Sequence, residues 1–479
     1  MNRFVLVAGA LLWTIPAVAQ QRPAVYVPGA LTPHQQLTRD IYRELVEINT
    51  ADRTGNVTTA SVAMARRFRD AGFPDADVFV GGPRPDKHNV VARIRGRNAT
   101  RKPVLLLAHL DVVEALKEDW SDDLDPFVFT ERDGYYYGRG TADDKAMAAI
   151  FVANVFRMQQ EGFVPDRDII IALTADEEGG SANGVEWLLQ HHPEKLDAAL
   201  VINEGGGGTL RAGRPLSHSV QATEKLFANM VLRVTNRGGH SSVPRPDNAI
   251  ASLANALVRV ERYAFPVLFN EVTREFFTQT ARIETPEMAR AMRALVASAA
   301  DTAALSVVSR DPRYNAMLRT TCVPTMLTGG HATNALPQLA EANVNCRMFP
   351  GTTAAQTRDA LRSAIADTAV QVVAQFAPRP PEPPTPLLPE VMQPVTRITR
   401  DLFGDIPVVP TMSTGATDGR YFRQRNVPVF GVSGLFLDPT VDARAHGRDE
   451  RMRVQSLFEG QEFLYRLTVA LTQANTTIP

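Results

Sequence analysis

Short aliphatic runs, each breaking off at a polar residue, constrain this chain more than any other feature. Residues 89–94, 104–108, 169–172 and 199–202 are rich in β-branched and aliphatic side chains, too short for helices and apolar enough for buried strands. Between and before them lie stretches with helical periodicity, at 32–48, 59–72, 145–160 and 182–190. Buried strands alternating with helices predict an α/β layered domain with a largely parallel sheet. In an open sheet of that kind ligands bind beyond the carboxyl ends of the strands, so the residues just past each run are the candidates for chemistry.

The texture changes near Glu224. A strand-like stretch at 227–235, a helix at 249–263, a long polar helical stretch through 304 and paired strands at 320–328 and 340–348 predict a separate α+β unit. Past residue 350 the alternation returns, with an apolar strand at 427–432 and a helix at 454–472, so the Pro-rich run 378–394 reads as a surface loop of the first domain. The expected division is one domain made of 20–223 and 351–479, interrupted by a second at 224–350. With 479 residues, 44% hydrophobic and 22% charged, the chain has a globular composition and length for two or three compact units. Cys322 and Cys346 fall in the paired strands, where an oxidising compartment permits a bond between them; two small buried thiols are the equal alternative.

Arg3, an apolar segment at 4–15 and Ala17-Val18-Ala19 have the form of a cleaved secretory signal over residues 1–19. The run is too short to span a bilayer, so the expectation is export, most simply to a bacterial periplasm, without stable membrane insertion. Lys plus Arg number 51 against 52 Asp plus Glu, a formal charge of -1. No basic excess is present to neutralise phosphates, which argues against nucleic acid as a partner.

Four segments put His or carboxylates just past an apolar run: Ala108-His109-Leu110-Asp111, Thr141-Ala142-Asp143-Asp144-Lys145, Asp176-Glu177-Glu178-Gly179 and Asn203-Glu204-Gly205, with Ala445-His446-Gly447 as a fifth near the C-terminus. A single Asp or Glu at a strand end is ordinarily a solvated charge, and His109 alone reads equally well as a satisfied core histidine. All five together point to a pair of divalent ions, which activate water and clamp a tetrahedral transition state. Such a pair needs a bridging carboxylate plus about one His and one carboxylate per ion. Asp143 would bridge, with His109 and Glu204 on one ion and Glu178 and His446 on the other. Glu177 would be the general base, and Asp111, two residues past His109, would brace its imidazole.

On His-x-Asp, Gly-Arg-Gly-x-x-Asp-x-Lys and Asp-Glu-Glu-x-Gly-Ser, the chain resembles the co-catalytic dizinc metallopeptidase and amidohydrolase family of carboxypeptidase S, aminoacylase, carnosinase and succinyl-diaminopimelate desuccinylase. The resemblance runs from about residue 32 to the C-terminus. It implies an α/β/α zinc-peptidase catalytic domain interrupted by a ferredoxin-like lid or dimerisation domain, and hence a homodimer. It also implies two zinc ions, with cobalt or manganese as substitutes, and hydrolysis of an amide in a small peptide or N-acyl amino acid. Within the lid, His240 in Gly238-Gly239-His240-Ser241-Ser242 matches the oxyanion-stabilising His. Asn334 and Arg347 match substrate-binding positions, the Arg suited to a free carboxylate. Gly415 matches the family's carboxylate pocket, although Ser413-Thr414-Gly415-Ala416 lacks the second Gly of the usual Ser-Gly-Gly, and Ala146 replaces the Gly usual after Lys145. The rival reading is a catalytically silent periplasmic binding or scaffold protein of the same fold; an intact donor set speaks against it.

Overall fold

A computed structural model describes residues 25–98, 100–375 and 382–473; the expected signal segment lies outside them. The larger domain is built on a ten-stranded sheet. Ile169–Thr174, Val104–His109, Leu200–Asn203 and Val429–Gly431 lie side by side and parallel at its centre. Along the central strands, side chains alternate between two cores. Val104, Leu106 and Ala108 face helices Pro33–Glu47, Val57–Asp70, Lys145–Gln160, Pro389–Phe403 and Val454–Thr472, whereas Leu105 and Leu107 face helices Gly184–His191 and Gly419–Arg423. This is the expected three-layer α/β/α arrangement. Each fully buried aliphatic side chain contributes about 1.5 to 3 kcal/mol, so the sheet is fixed by apolar residues alone and the polar residues past its strand ends are left to serve the site.

The sheet is mixed rather than largely parallel. Asn89–Ile94 pairs antiparallel with Val78–Gly81 on one side and Ile169–Thr174 on the other, and Arg214–Glu224 pairs antiparallel with Gly208–Arg211. Apolar runs carry no sign of direction; the connections do. Between Arg211 and Arg214 only Ala212 and Gly213 intervene, both at positive φ, a two-residue turn that reverses the chain into a hairpin.

A four-stranded antiparallel sheet in the order Thr321–Gly329, Leu339–Met348, Leu226–Thr235, Val370–Ala374 forms the second domain. Its dry face is covered by helices Ala249–Arg262 and Ala354–Ile365, through Leu253, Val260, Leu361 and Ile365. The succession strand–helix–strand–strand–helix–strand with this strand order is ferredoxin-like. Since Ala354–Ile365 and Val370–Ala374 belong to this sheet, the unit runs past residue 350. The helical pattern that resumes there is real, but its apolar stripe packs on the small sheet. Four helices, Glu271–Thr280, Pro286–Ala297, Thr302–Val308 and Pro312–Leu318, are inserted before Thr321–Gly329 and have their own core around Phe277, Met292 and Leu318. Helix Pro389–Phe403 starts inside the Pro-rich run.

The two sheets are joined with Lys225 as the only residue between strands Arg214–Glu224 and Leu226–Thr235. Its backbone N–H donates to the Ser413 carbonyl (2.9 Å) and its buried Nζ to the Arg319 carbonyl (2.7 Å). In the small sheet Cys322 stands opposite Cys346, and the two are joined by a disulfide.

Candidate active site

His109 closes its strand with an imidazole only 2% exposed. Nδ1 lies 3.0 Å from the Asp111 carbonyl oxygen, and since a carbonyl only accepts, Nδ1 carries the proton. Nε2 then faces the Asp143 carboxylate, with Oδ1 at 3.0 Å and the Glu204 carboxylate at 3.9 Å. Burial by itself would lower the pKa of His109, but the Asp143, Glu204 and Asp111 carboxylates outweigh it and hold the group well above its ordinary value. An imidazole nitrogen aimed at carboxylates needs a cation on that side, either its own proton or a metal ion.

The same arrangement recurs across Asp143. Its second oxygen, Oδ2, lies 3.1 Å from Nε2 of His446, which is also 2.7 Å from Glu178 Oε1. Asp143 thus turns one oxygen to each imidazole, the disposition of a bridge. Burial acts to raise its pKa, but hydrogen bonds from the two imidazoles prevail and keep it well below the carboxylate range; hydrogen bonds to the Asp143 and Glu178 carboxylates push His446 up to about 10. Donor atoms of His109, Asp143 and Glu178 lie within 4.8 Å of one another, as do those of His109, Glu177 and Glu204. Burial raises the Glu204 carboxyl well above its ordinary value, reinforced by the Asp143 charge. Three carboxylates and two imidazoles, with His446 half exposed and the other four at most a quarter exposed, form a set short of positive charge. Nitrogen and oxygen donors of this kind fit a pair of divalent transition ions.

Glu177 and Glu178 follow strand Ile169–Thr174 by way of Asp176, which sits at φ 57°. The loop is pinned from three sides. Asp111 accepts the backbone N–H of Glu177 on Oδ1 (3.1 Å) and that of Glu178 on Oδ2 (3.0 Å). Asp176 pairs with the buried Lys87 ammonium at 2.5 Å. Asn183 donates to the Asp176 carbonyl (3.0 Å) and to Asp418 (2.7 Å), and its side-chain oxygen caps helix Gly184–His191. Gly180, at φ 97°, packs so close to the Asp176 carboxylate that a Cβ would collide with it. Burial pushes the Glu177 carboxyl up to about 9, partly offset by His109 and reinforced by Asp418 and Asp111. Asp111 therefore has a second task besides the expected one. Its carboxylate is 3.7 Å from His109 Nδ1, and the imidazole is braced by the Asp111 carbonyl while the carboxylate holds the Glu177–Glu178 backbone.

Arg139, the Arg of the Gly-Arg-Gly-x-x-Asp-x-Lys pattern to which no role was given, and Glu450, which no sequence pattern singled out, tie two of the site's loops together. Both are buried. Glu450 Oε1 accepts the backbone N–H groups of Ala142 (2.8 Å) and Asp143 (3.2 Å), and Oε2 accepts from Arg139 (2.6 Å). Arg139 also donates to the carbonyls of His446 (3.4 Å) and Gly447 (3.2 Å). Groups that orient metal ligands typically influence metal affinity by about 10- to 100-fold. Glu450→Gln should therefore weaken metal binding by about that factor at an unchanged fold, read by competition with a chromophoric chelator alongside circular dichroism. Unaltered affinity in a folded variant would reduce the pair to a packing role.

The remaining expected residues have their own local partners. His240, in the short strand Gly239–His240, is exposed, and its Nδ1 meets Ser242 Oγ at 2.7 Å. That strand pairs with Ala335–Leu336, and Asn334 accepts the Ser241 N–H at 3.0 Å, so His240 and Asn334 are neighbours. Arg347 lies within strand Leu339–Met348, with its guanidinium 5.5 Å from the centre of the Phe227 ring. Exposed Gly415 donates its N–H to Ser413 Oγ (3.0 Å).

Comparison with known proteins places this geometry. The human N-fatty-acyl-amino acid synthase/hydrolase PM20D1 is 26% identical over 468 residues, covering 94% of this chain and 91% of that protein. Among solved structures, an M20 family metallo-carboxypeptidase from Sulfolobus solfataricus superposes with a TM-score of 0.64 at 17% identity, covering 90% of this chain and 99% of that one. A Bacillus subtilis protein described as a dinuclear metal-binding peptidase of the M20 family gives 0.57 at 14%, covering 92% and 98%. The profile of peptidase family M20/M25/M40 matches residues 105–470, a span that holds all five expected metal ligands, and the chain is a hydrolase belonging to that family.

Proposed function

We propose that this chain is an exported two-zinc hydrolase that cleaves the amide of N-acyl amino acids or small peptides carrying a free C-terminal carboxylate. The observation that carries the reading is Asp143, with one carboxylate oxygen turned to each of two imidazoles. His109 and Glu204 would hold one ion, Glu178 and His446 the other, with Asp143 between. When bound, such ions polarise the scissile carbonyl and lower the pKa of water. Glu177, desolvated and held by Asp111, would take the proton of the attacking water and deliver it to the leaving nitrogen. His240 would meet the developing oxyanion once the small domain approaches, and Arg347 would hold the substrate carboxylate through its planar pair of donors. A synthase/hydrolase of N-fatty-acyl amino acids and a metallo-carboxypeptidase among the similar proteins support a substrate with an amino acid on the leaving side.

Export is supported by the residue 1–19 pattern and by the Cys322–Cys346 disulfide, a bond at home in oxidising compartments; no described helix is long and apolar enough to cross a membrane. Strand Thr321–Gly329 lies at the edge of the small sheet with Val323, Met326 and Leu327 exposed by 58%, 68% and 65%. An open apolar edge of that kind favours pairing with a second copy.

The test compares acid and amide forms of one substrate. Amidating the C-terminal carboxylate should cost on the order of 2 to 5 kcal/mol of transition-state binding, and Arg347→Ala should erase most of the difference. Equal kcat/KM for acid and amide in the wild type would overturn the carboxylate reading.

A further inference from the structure

The four helices inserted over residues 271–318 take no part in the chemistry described so far. Helix Glu271–Thr280 packs against strand Val408–Ser413, and the insertion's core closes on Met412 of that strand and on Phe349, two residues past Arg347. The insertion is thereby seated on the large domain, with a core separate from that of the small sheet. Beside it runs a cleft of about 930 Å³, a size that suits a whole small ligand. Gly205 and Arg347 both line it. Gly205 directly follows the expected ligand Glu204, and its φ of 107° keeps it Cβ-free where Gln221 closes in. The same cleft is lined by Phe276, Ile283, Tyr314 and Met317, all from the insertion.

We infer that this insertion wall is the pocket for the side chain of the amino acid released by hydrolysis, and that it selects large apolar or aromatic side chains. The inference rests on the reading of Arg347 as the carboxylate anchor. An amino acid's carboxylate and side chain leave the same Cα, so a guanidinium that holds the first fixes the second nearby, while the acyl group lies across the scissile bond. Tyr314, whose hydroxyl is hydrogen-bonded to the Glu284 carboxylate, and Met317 are buried in the insertion's core and back the wall from behind. Phe276 and Ile283 are half-buried, so they offer surface to a ligand without being the centre of the insertion's core.

Two substrate series separate this pocket from one for the acyl chain: a single acyl group on Gly, Ala, Leu and Phe, and a single amino acid bearing acyl groups of increasing length. Wild type should favour Leu and Phe over Gly by about tenfold or more in kcat/KM. Phe276→Ala should flatten that preference several-fold, mainly through KM, and Ile283→Trp should penalise Phe more than Ala, while dependence on acyl length is unchanged in both. Should one variant fail to fold, the other carries the comparison. Variants that change the acyl-length profile and leave the amino-acid ranking intact would overturn the inference, as would variants that change neither. A wild type inert on every member of both series would count instead against the hydrolase reading. In that case the pocket is judged by calorimetry with free phenylalanine, phenylalanine amide and glycine. Phenylalanine should bind tightest and lose affinity on Phe276→Ala; equal binding of all three would sink it.

Discussion

Glu177→Gln should turn substrate over at least about a hundredfold more slowly than the wild type while keeping its full metal content. The amide has nearly the shape of the carboxylate, and the two backbone N–H bonds to Asp111 that set the loop do not involve the altered side chain. What is lost is the proton acceptor, a contribution typically of 10²- to 10⁴-fold. Glu178→Gln provides the contrast, because Glu178 meets His446 Nε2 at 2.7 Å and its removal should release metal. Both contents can be read by plasma emission spectrometry on the purified proteins, and kcat under saturating substrate. If the two variants lost metal equally and kept their turnover, the division of roles between these adjacent residues would be wrong.

Chelation should have the larger effect still, abolishing hydrolysis, with recovery on adding zinc, cobalt or manganese. Ligand deprotonation and metal binding are linked, and the stripped site is left with the Asp143 carboxylate between two imidazoles and with Glu177 and Glu204 largely desolvated. Two equivalents of metal per chain at full activity are expected. Turnover that persists in protein free of transition metal would remove the basis for the mechanism.

The convergence of the expected donors was legible in part because His109, Glu177, Glu178 and Glu204 stand just past aliphatic runs that form the buried centre of the sheet, whereas Asp143 and His446 follow no such run. Strands such as Val104–His109 are fixed by side chains that carry their own signal. Sheet direction was less legible, since it depends on connections such as the turn at Ala212-Gly213. The limit of the small domain was missed because helix Ala354–Ile365 has the same periodicity whichever sheet it covers. Within the site, Arg139, Glu450 and Lys87 act through backbone atoms or a buried partner far away in sequence, as Glu450 does on the N–H groups of Ala142 and Asp143, and a single sequence gives no sign of such pairings. Asp111 serves more than the reason for which it was found: its carbonyl braces His109, beside which spacing placed it, while its carboxylate holds Glu177, 66 residues later.

Lys225 sets mechanical terms for the enzyme. With a single residue between a strand of one sheet and a strand of the other, there is no slack for the domains to slide past each other at that crossing. On the proposed roles, an approach of His240 and Arg347 to the expected metal ligands would turn about this crossing, with Ser413 and Arg319 as the points that the Lys225 N–H and Nζ hold. Those two anchors lie on the strand leading to Gly415 and at the end of the helical insertion. If the small domain swings as proposed, it would pull on the walls of the cleft, and filling the cleft and closing the domains would be one movement.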